Sequence, residues 1–467
     1  MLFNSLAFGI FFPTVFLLYL VLPRRGQNIM LLAASYFFYA QWDWRFLSLI
    51  LISTCVDYYC GIKLDRPDKS RARIYLLLSV LTNLLLLGFF KYCNFFIDNL
   101  HSLLLNFGLV VNSRIINVVV PVGISFYTFQ TMSYTIDIYR GKLGATRSFT
   151  DFALFVAFFP QLVAGPIERA KNLLPQIARK RRITAARIFD GGYLIFWGLF
   201  KKVFVADNLA ALVVDPIFGS GIQDNGLLVV IGVYAFAFQI YCDFSGYTDI
   251  ARGCAKMMGF DLMLNFKLPY FAVNPSDFWS RWHISLSTWL RDYLYIPMGG
   301  NRAGRTKRNL LYTMLLGGLW HGAQWKFVLW GLYQGLLLIG HRIWSGRSGP
   351  AVKNTPLIRL GKIIIMFQFT CLGWLIFAAR DFRHILELAG SLANGFRIDD
   401  MAMRYASELL FFAWPVVLMQ LFQYKFNNLD IFGKLPWFIR SVVYVAGFYL
   451  FIIFGEFGAR EFIYFQF

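Results

Sequence analysis

Leu227-Leu-Val-Val-Ile-Gly-Val-Tyr-Ala-Phe-Ala-Phe-Gln-Ile-Tyr241 carries no charged residue, and it gives way at once to Cys242-Asp-Phe-Ser-Gly-Tyr-Thr-Asp-Ile-Ala-Arg252. Uncharged apolar runs of this kind approach the length needed to cross the roughly 30 Å hydrocarbon layer of a bilayer. They recur at residues 6–22, 75–90, 115–136, 152–167, 310–318, 328–340, 363–379, 409–424 and 441–455. Shorter ones lie at 29–40, 46–62 and 191–200. Lipid offers no partner to a bare backbone, and these runs are longer than barrel strands. The pattern therefore predicts an all-α, polytopic transmembrane helical bundle of roughly 10 to 12 spans, with further interfacial or re-entrant helices.

Composition leads to the same class. Hydrophobic residues make up 58% of the 467 and charged ones 15%, against about 25% charged in soluble domains, so a soluble fold is excluded. Aromatic side chains, at 19%, suit interfacial belts at many helix ends. The first run has no basic residue ahead of it and is followed by Pro23-Arg24-Arg25. It is expected to persist as the first helix rather than be cleaved as a signal. Multi-pass insertion in a membrane follows as the expected localisation, with membrane lipid as a partner.

The 45 Lys and Arg against 25 Asp and Glu give a formal charge of +20. The basic residues collect in residues 63–73, 169–187, 302–308 and 342–362, loops between spans that the positive-inside rule places in the cytoplasm. If the Arg24-Arg25 turn is inside as well, the N-terminus lies outside and residues 41–44 form an external hairpin. Orientation and anionic-lipid contact account for such loops, and nucleic-acid binding is excluded on that ground. The cysteines at 55, 60, 93, 242, 254 and 371 form no C-x-x-C pair, so neither a metal nor a disulfide framework is expected. No repeat stands out and no loop is long enough for a second soluble domain, which leaves one membrane-embedded domain over 1–467.

Polar residues inside membrane segments are costly, and three islands hold them. The richest begins at Asn274-Pro275, a good helix start. Trp279, Trp282, Leu286, Trp289, Tyr293 and Ile296 then recur at three- and four-residue spacing as an aromatic stripe, opposite Arg281, His283, Ser285, Arg291 and Asp292. Such a segment either anchors at the interface or lines a water-filled cavity. In the second island His321 lies in an apolar run beside Gly317, Gly318 and Gly322. Two readings stand for it: a general base that takes a proton from a hydroxyl or thiol, or helix glue hydrogen-bonded to a neighbour. The third, ending the run at Tyr241, holds Asp243, Ser245, Thr248, Asp249 and Arg252, read first as a structural charge network. His101, His341 and His384 fall near expected span ends and read as interfacial. Nucleotide, zinc-peptidase and serine-hydrolase motifs are missing from the sequence.

Arg281-Trp-His-Ile-Ser-Leu-Ser-Thr-Trp-Leu-Arg-Asp-Tyr-Leu-Tyr-Ile-Pro-Met-Gly-Gly-Asn-Arg302 and Gly318-Leu-Trp-His-Gly-Ala resemble the membrane-bound O-acyltransferase (MBOAT) family. The first is similar to the branch that includes the alginate O-acetylation membrane subunit. Pro121-Val-Gly-Ile-Ser-Phe-Tyr-Thr-Phe-Gln130 and Phe159-Pro-Gln-Leu-Val-Ala-Gly-Pro-Ile-Glu168 look like the same branch, and the resemblance spans nearly the whole chain. It implies an acyltransferase with a histidine near the bilayer centre, reached by acyl-CoA from the cytoplasm and by the acceptor from the other face. Position by position, His321 matches the family's catalytic histidine and His283 its second conserved polar site. Against the teichoic-acid D-alanylation branch, the end of the motif points to polysaccharide O-acetylation.

On this reading acetyl-CoA is the donor substrate, no cofactor is bound, and the phosphates stay by cytoplasmic basic residues such as Arg302, Arg305 and Arg308. Arg281, Ser285, Trp320, Gln324 and Asp243 complete the expected substrate-binding set. His283 is expected either to orient the acyl group or to handle a proton. With no sizeable extracytoplasmic domain, a separate periplasmic acetyltransferase is expected to complete transfer to the polysaccharide. The rival readings are a transporter or flippase of a polysaccharide or lipid intermediate, transfer of D-alanine or another acyl group, and a scaffold for a secretion complex.

Overall fold

In a computed structural model the described residues are 1–66, 70–109, 118–163, 165–219, 225–302, 304–347, 355–458 and 460–465. Their regular structure is helix, with no strand among the described residues, and six stretches are long and apolar enough to cross a membrane: Arg24–Leu64, Ala72–Asn106, Gly226–Met257, Pro356–Ala378, Asp400–Lys425 and Trp437–Phe454. Other expected runs are carried by shorter or broken helices. Residues 152–167, for instance, are cut by an extended turn at Phe158, ahead of Pro160. Part of the expected run 115–136 lies outside the described residues.

The chain divides into two compact, interleaved units: Met1–Ile195 with Ile250–Met263, and Phe196–Asp249 with Leu264–Phe467. The first contains α1 (Leu6–Val21), α2 (Arg24–Asp43), α3 (Leu47–Leu64), α4 (Ala72–Asn106), α5 (Ile124–Tyr139), α6 (Phe149–Ala157), α7 (Phe159–Leu162), α8 (Ala170–Ala178) and most of α9 (Ala185–Leu199). Ser5 and Ser148 start α1 and α6 by accepting the backbone N–H groups of Phe8 and Asp151, which satisfies donors a helix start leaves open.

Helices α3, α4 and α5 meet on a buried polar seam. Ser79 Oγ donates to Asp57 Oδ1 at 2.6 Å, Asn83 Nδ2 to Asp57 Oδ2 at 2.8 Å, and Ser53 Oγ to Asn83 Oδ1 at 2.7 Å. Each side chain is polar enough to need a partner in lipid and finds one across the interface, which fixes helix register. Arg181, from a basic loop, donates to Tyr19 Oη at 2.7 Å, Asn28 Oδ1 at 2.8 Å and Gln27 Oε1 at 2.7 Å. Its charge ties α1 and α2 to the following segment, a task beyond the orientation expected of that loop.

The returning residues 250–263 complete this unit. Tyr19 Oη donates to the Met258 carbonyl at 2.7 Å, and Phe260 packs on Phe158 with ring centroids 4.8 Å apart. At the crossing with α9, a Cβ on Gly253 would sit 2.6 Å from the Gly191 carbonyl, so only glycine permits this approach.

The second unit continues through a π-helical stretch, Phe200–Ala206, and two short helices, α10 (Asp207–Leu209) and α11 (Asp215–Gly219). The first part of α12 (Gly226–Met257) belongs to it. Then come α13 (Pro275–Trp279), α14 (Ile284–Leu290), α15 (Thr306–His321), α16 (Trp325–Arg347), α17 (Pro356–Ala378), α18 (Phe382–Ala393), α19 (Asp400–Lys425) and α20 (Trp437–Phe454). Asn274 caps α13 through Asp277 N at 2.8 Å, as its sequence predicts. Asp381 and Asp399 do the same for α18 and α19 through His384 N and Ala402 N, each at 2.8 Å. Those caps hold the Asp399 carboxyl below the usual range, chiefly through the Ala402 N–H and then the Asn225 amide. Helix α20 buries none of its residues and exposes Val442, Val445, Phe448, Ile452 and Ile453, a surface suited to lipid.

Candidate active site

His321 is the last residue of α15, and the helix ends there because Gly322 turns to extended backbone. Helix α16 folds back against it at very short range. A Cβ on Gly318 would lie 2.2 Å from the Phe327 carbonyl, and one on Gly322 the same 2.2 Å from the Phe327 ring. Gly318 thus lets α15 and α16 touch backbone to backbone and Gly322 admits the Phe327 ring, whereas Gly317 faces Leu290 of α14; the imidazole is fixed at the break. Its ring is 4% exposed. It packs edge-on against Trp320 at 5.1 Å, Trp330 at 5.0 Å and Phe377 at 5.5 Å between centroids.

His283 reaches the same aromatic wall from a different element. The single amphipathic helix expected over residues 275–296 is broken: α13 ends at Trp279, His283 takes a left-handed backbone with φ 42°, and α14 starts at Ile284. Such a φ strains a residue with a Cβ, so the surroundings must hold it. Asn265 does so. Its carbonyl accepts Ile284 N at 2.9 Å, and its Oδ1 accepts Ser285 N at 3.1 Å and Ser285 Oγ at 3.0 Å and lies 3.1 Å from His283 Nδ1. The break turns His283 inward, 0% exposed, with Phe244 at 4.6 Å and Trp320 at 5.8 Å between ring centroids.

Tyr464 joins the two histidines. Its ring centroid is 5.5 Å from that of His321 and 6.4 Å from that of His283. The tail that carries it is anchored by buried charge. Asp243 Oδ2 accepts Ile463 N at 2.8 Å while Asp243 pairs with Lys202 at 2.9 Å, and Lys202 pairs with Asp207 at 2.8 Å. Lys202 Nζ also donates to the Glu461 carbonyl at 3.3 Å.

The expected residues therefore separate. His321, His283, Trp320 and Ser285 share one buried cluster. Asp243 borders it through Phe244 and the tail but spends its charge on Lys202, which lies outside the island, where an Asp-to-Arg network was expected. Arg281 is not turned to the histidines: its Nε donates to Asp277 Oδ1 at 2.7 Å. Gln324 is exposed in the turn between α15 and α16, and Arg302 and Arg305 are exposed ahead of α15, at the opposite end from His321. Asn265 and Tyr464 were not singled out by sequence reasoning. The available signal for Asn265 was an amide in the stretch between the polar island at 242–252 and the motif that starts at Arg281. His384, read as interfacial, is instead 2% exposed and accepts the Arg380 N–H at Nδ1, 3.1 Å away.

A deeply buried histidine pair among aromatic rings, with hydroxyls at hand, suits proton transfer in a dry cavity more than ion conduction. The profile of MBOAT, the membrane-bound O-acyltransferase family, matches residues 140–379, a span that includes both histidines. The chain belongs to that family: it is a multi-pass integral-membrane O-acyltransferase. It is 44% identical over 386 residues to the probable alginate O-acetylase AlgI of Pseudomonas aeruginosa, covering 82% of this chain and 72% of that one. It is also 35% identical over 449 residues to the peptidoglycan O-acetyltransferase of Helicobacter pylori, covering 88% and 83%. The teichoic acid D-alanyltransferase of Bacillus subtilis is more distant, 27% identical over 292 residues, 57% of this chain and 71% of that one.

Proposed function

We propose that this chain takes an acetyl group from cytoplasmic acetyl-CoA and passes it across the bacterial inner membrane for O-acetylation of an exported, alginate-like polysaccharide, with His321 as general base. The observation that carries this reading is the burial of His321 at the α15–α16 break, on one aromatic wall with His283 and Tyr464. In the reaction His321 accepts the proton of an acceptor hydroxyl, and the oxygen attacks the thioester carbonyl. The tetrahedral intermediate collapses to the ester and expels the thiolate of CoA, which takes the proton back from the imidazolium. The aromatic wall keeps water from competing for the thioester.

The names of the relatives support acetyl and a cell-envelope glycan as the transferred group and final acceptor. The exposed Arg302 and Arg305, in a loop the positive-inside rule assigns to the cytoplasm, suit the phosphates of the donor, which cannot enter lipid. A periplasmic acetyltransferase partner completes transfer to the polymer. The test is acetyl transfer from radiolabelled acetyl-CoA in membranes holding the wild type or His321→Ala, with folding checked by detergent chromatography. A folded His321→Ala is expected to lose about 10²-fold or more of the rate, and normal transfer by it overturns the assignment.

A further inference from the structure

We infer that Asn265 is a positioning residue that holds His283 as the Nδ1–H tautomer, so that His283 meets the reaction with the lone pair of Nε2 and accepts a hydrogen bond there, while the proton of the acceptor hydroxyl goes to His321. The inference rests on the proposed reading only for the word reaction; the tautomer itself follows from three contacts. Asn265 Oδ1 accepts the backbone N–H of Ser285 at 3.1 Å. A backbone N–H can only donate, so the amide is oriented with its oxygen, not its nitrogen, toward residues 283–285. Asn265 is 1% exposed, and its Nδ2 has no hydrogen-bond partner among the described residues; nothing therefore favours the flipped amide. His283 Nδ1 lies 3.1 Å from that same oxygen. Two acceptors do not approach so closely, hence Nδ1 carries the proton.

The neighbouring hydroxyl does not offer a second solution. Ser285 Oγ stands 3.0 Å from Asn265 Oδ1 but 3.5 Å from His283 Nδ1, so its proton goes to the amide oxygen. A neutral imidazole has one N–H, and Asn265 takes it. This decides between the two tasks open to His283. Orienting an acyl group by donating to its carbonyl oxygen needs an N–H at Nε2, whereas assisting the proton's path to His321 by accepting a hydrogen bond needs a lone pair there. The geometry leaves only the second. The left-handed backbone of His283, φ 42°, is what brings its Nδ1 and the Ser285 N–H to one oxygen.

The test is 15N NMR on histidine-labelled protein in lipid, with His283→Gln assigning the His283 signals by their loss. Protonated and bare ring nitrogens resonate far apart, so the tautomer is read without any assay. The wild type is expected to show Nδ1–H. Asn265→Leu, which keeps the volume but no acceptor, is expected to lose that preference and to lower kcat about 10-fold or more, with KM for acetyl-CoA within twofold. Asn265→Asp keeps the acceptor, and its carboxylate favours the protonated ring. The acid limb of its kcat profile should therefore move to higher pH, by roughly one unit or more. An Nε2–H signal for His283 in the wild type overturns the inference, as does an unchanged tautomer in folded Asn265→Leu. If Asn265→Leu does not fold, the wild-type tautomer and the Asn265→Asp profile decide. A tautomer that follows Asn265 while transfer stays intact upholds the positioning and refutes the part given to His283 in the reaction.

Discussion

His384 shows how burial converts a titratable ring into a structural one. It accepts the Arg380 N–H at Nδ1 while its own backbone N–H is taken by Asp381 at 2.8 Å, and burial, helped by the Arg380 charge, lowers its pKa below the usual 6.5. The fold thus holds the neutral ring, and the unfolded chain binds the proton more readily. Stability from this group is whole above the ordinary histidine range and is lost as pH falls below it. Protection factors across residues 381–393, that is, exchange rates corrected for their intrinsic pH dependence, should accordingly fall below pH 6.5, by at most about tenfold per pH unit. In His384→Gln that extra acid sensitivity should vanish, and an identical pH dependence in the variant would show that the ring does not govern it. The same residue marks a limit of reading sequence. His321 stands out because an imidazole in an uncharged, glycine-rich run must serve either as a base or as glue between helices, and either task marks the position. His384 sits near expected span ends and gives no local sign that its ring is buried. Asn265 and Tyr464 are ordinary residues whose importance comes from partners distant in the chain, His283 for the first and His283 and His321 for the second, a relation that spacing along one helix does not encode.

At the scale of elements, the contact between α15 and α16 does most to place the site. Periodicity predicted both helices, and the glycines predicted that something comes close, but not that the partner is the very next helix. A methyl group at Gly318 would meet the Phe327 carbonyl at 2.2 Å. Gly318→Ala should therefore push the two helices apart and displace His321, lowering transfer by about 10²-fold from an ångström-scale shift although no reacting group is altered. Transfer within twofold of wild type in Gly318→Ala would mean that the hairpin yields without moving the imidazole. The helix-period stripe over 275–296 failed for a related reason. Trp279, Trp282 and Leu286 do keep helical spacing, but Asn265, far upstream, competes for the N–H groups of Ile284 and Ser285 and breaks the helix between them. Tertiary hydrogen bonds to a turn outweigh local periodicity here, where the turn carries the buried His283.

For the whole molecule, composition sufficed to fix the class. The lipid-facing apolar surface of α20 and the buried polar seam of α3, α4 and α5 are its two expressions, outside and inside. What composition could not convey is the path of the chain between the compact units. The first unit is left at Ile195 and rejoined only at Ile250–Met263, the segment that supplies the Met258 carbonyl to Tyr19 and the Phe260 ring to Phe158. Chains ended after residue 219 should be degraded in the cell faster than chains ended after residue 263, as followed by pulse-chase. Equal lifetimes would show that the returning segment is dispensable to that unit.

That path also sets a timetable for biogenesis. At synthesis rates of about 5–20 residues per second, the N-terminal helices wait several seconds in or beside the insertion machinery for their last piece to emerge. Throughout that interval the seat for Phe260 is open. A ribosome that stalls between the two visits therefore leaves a half-built protein with an unfilled apolar notch, which is a feature that membrane chaperones and proteases are built to detect.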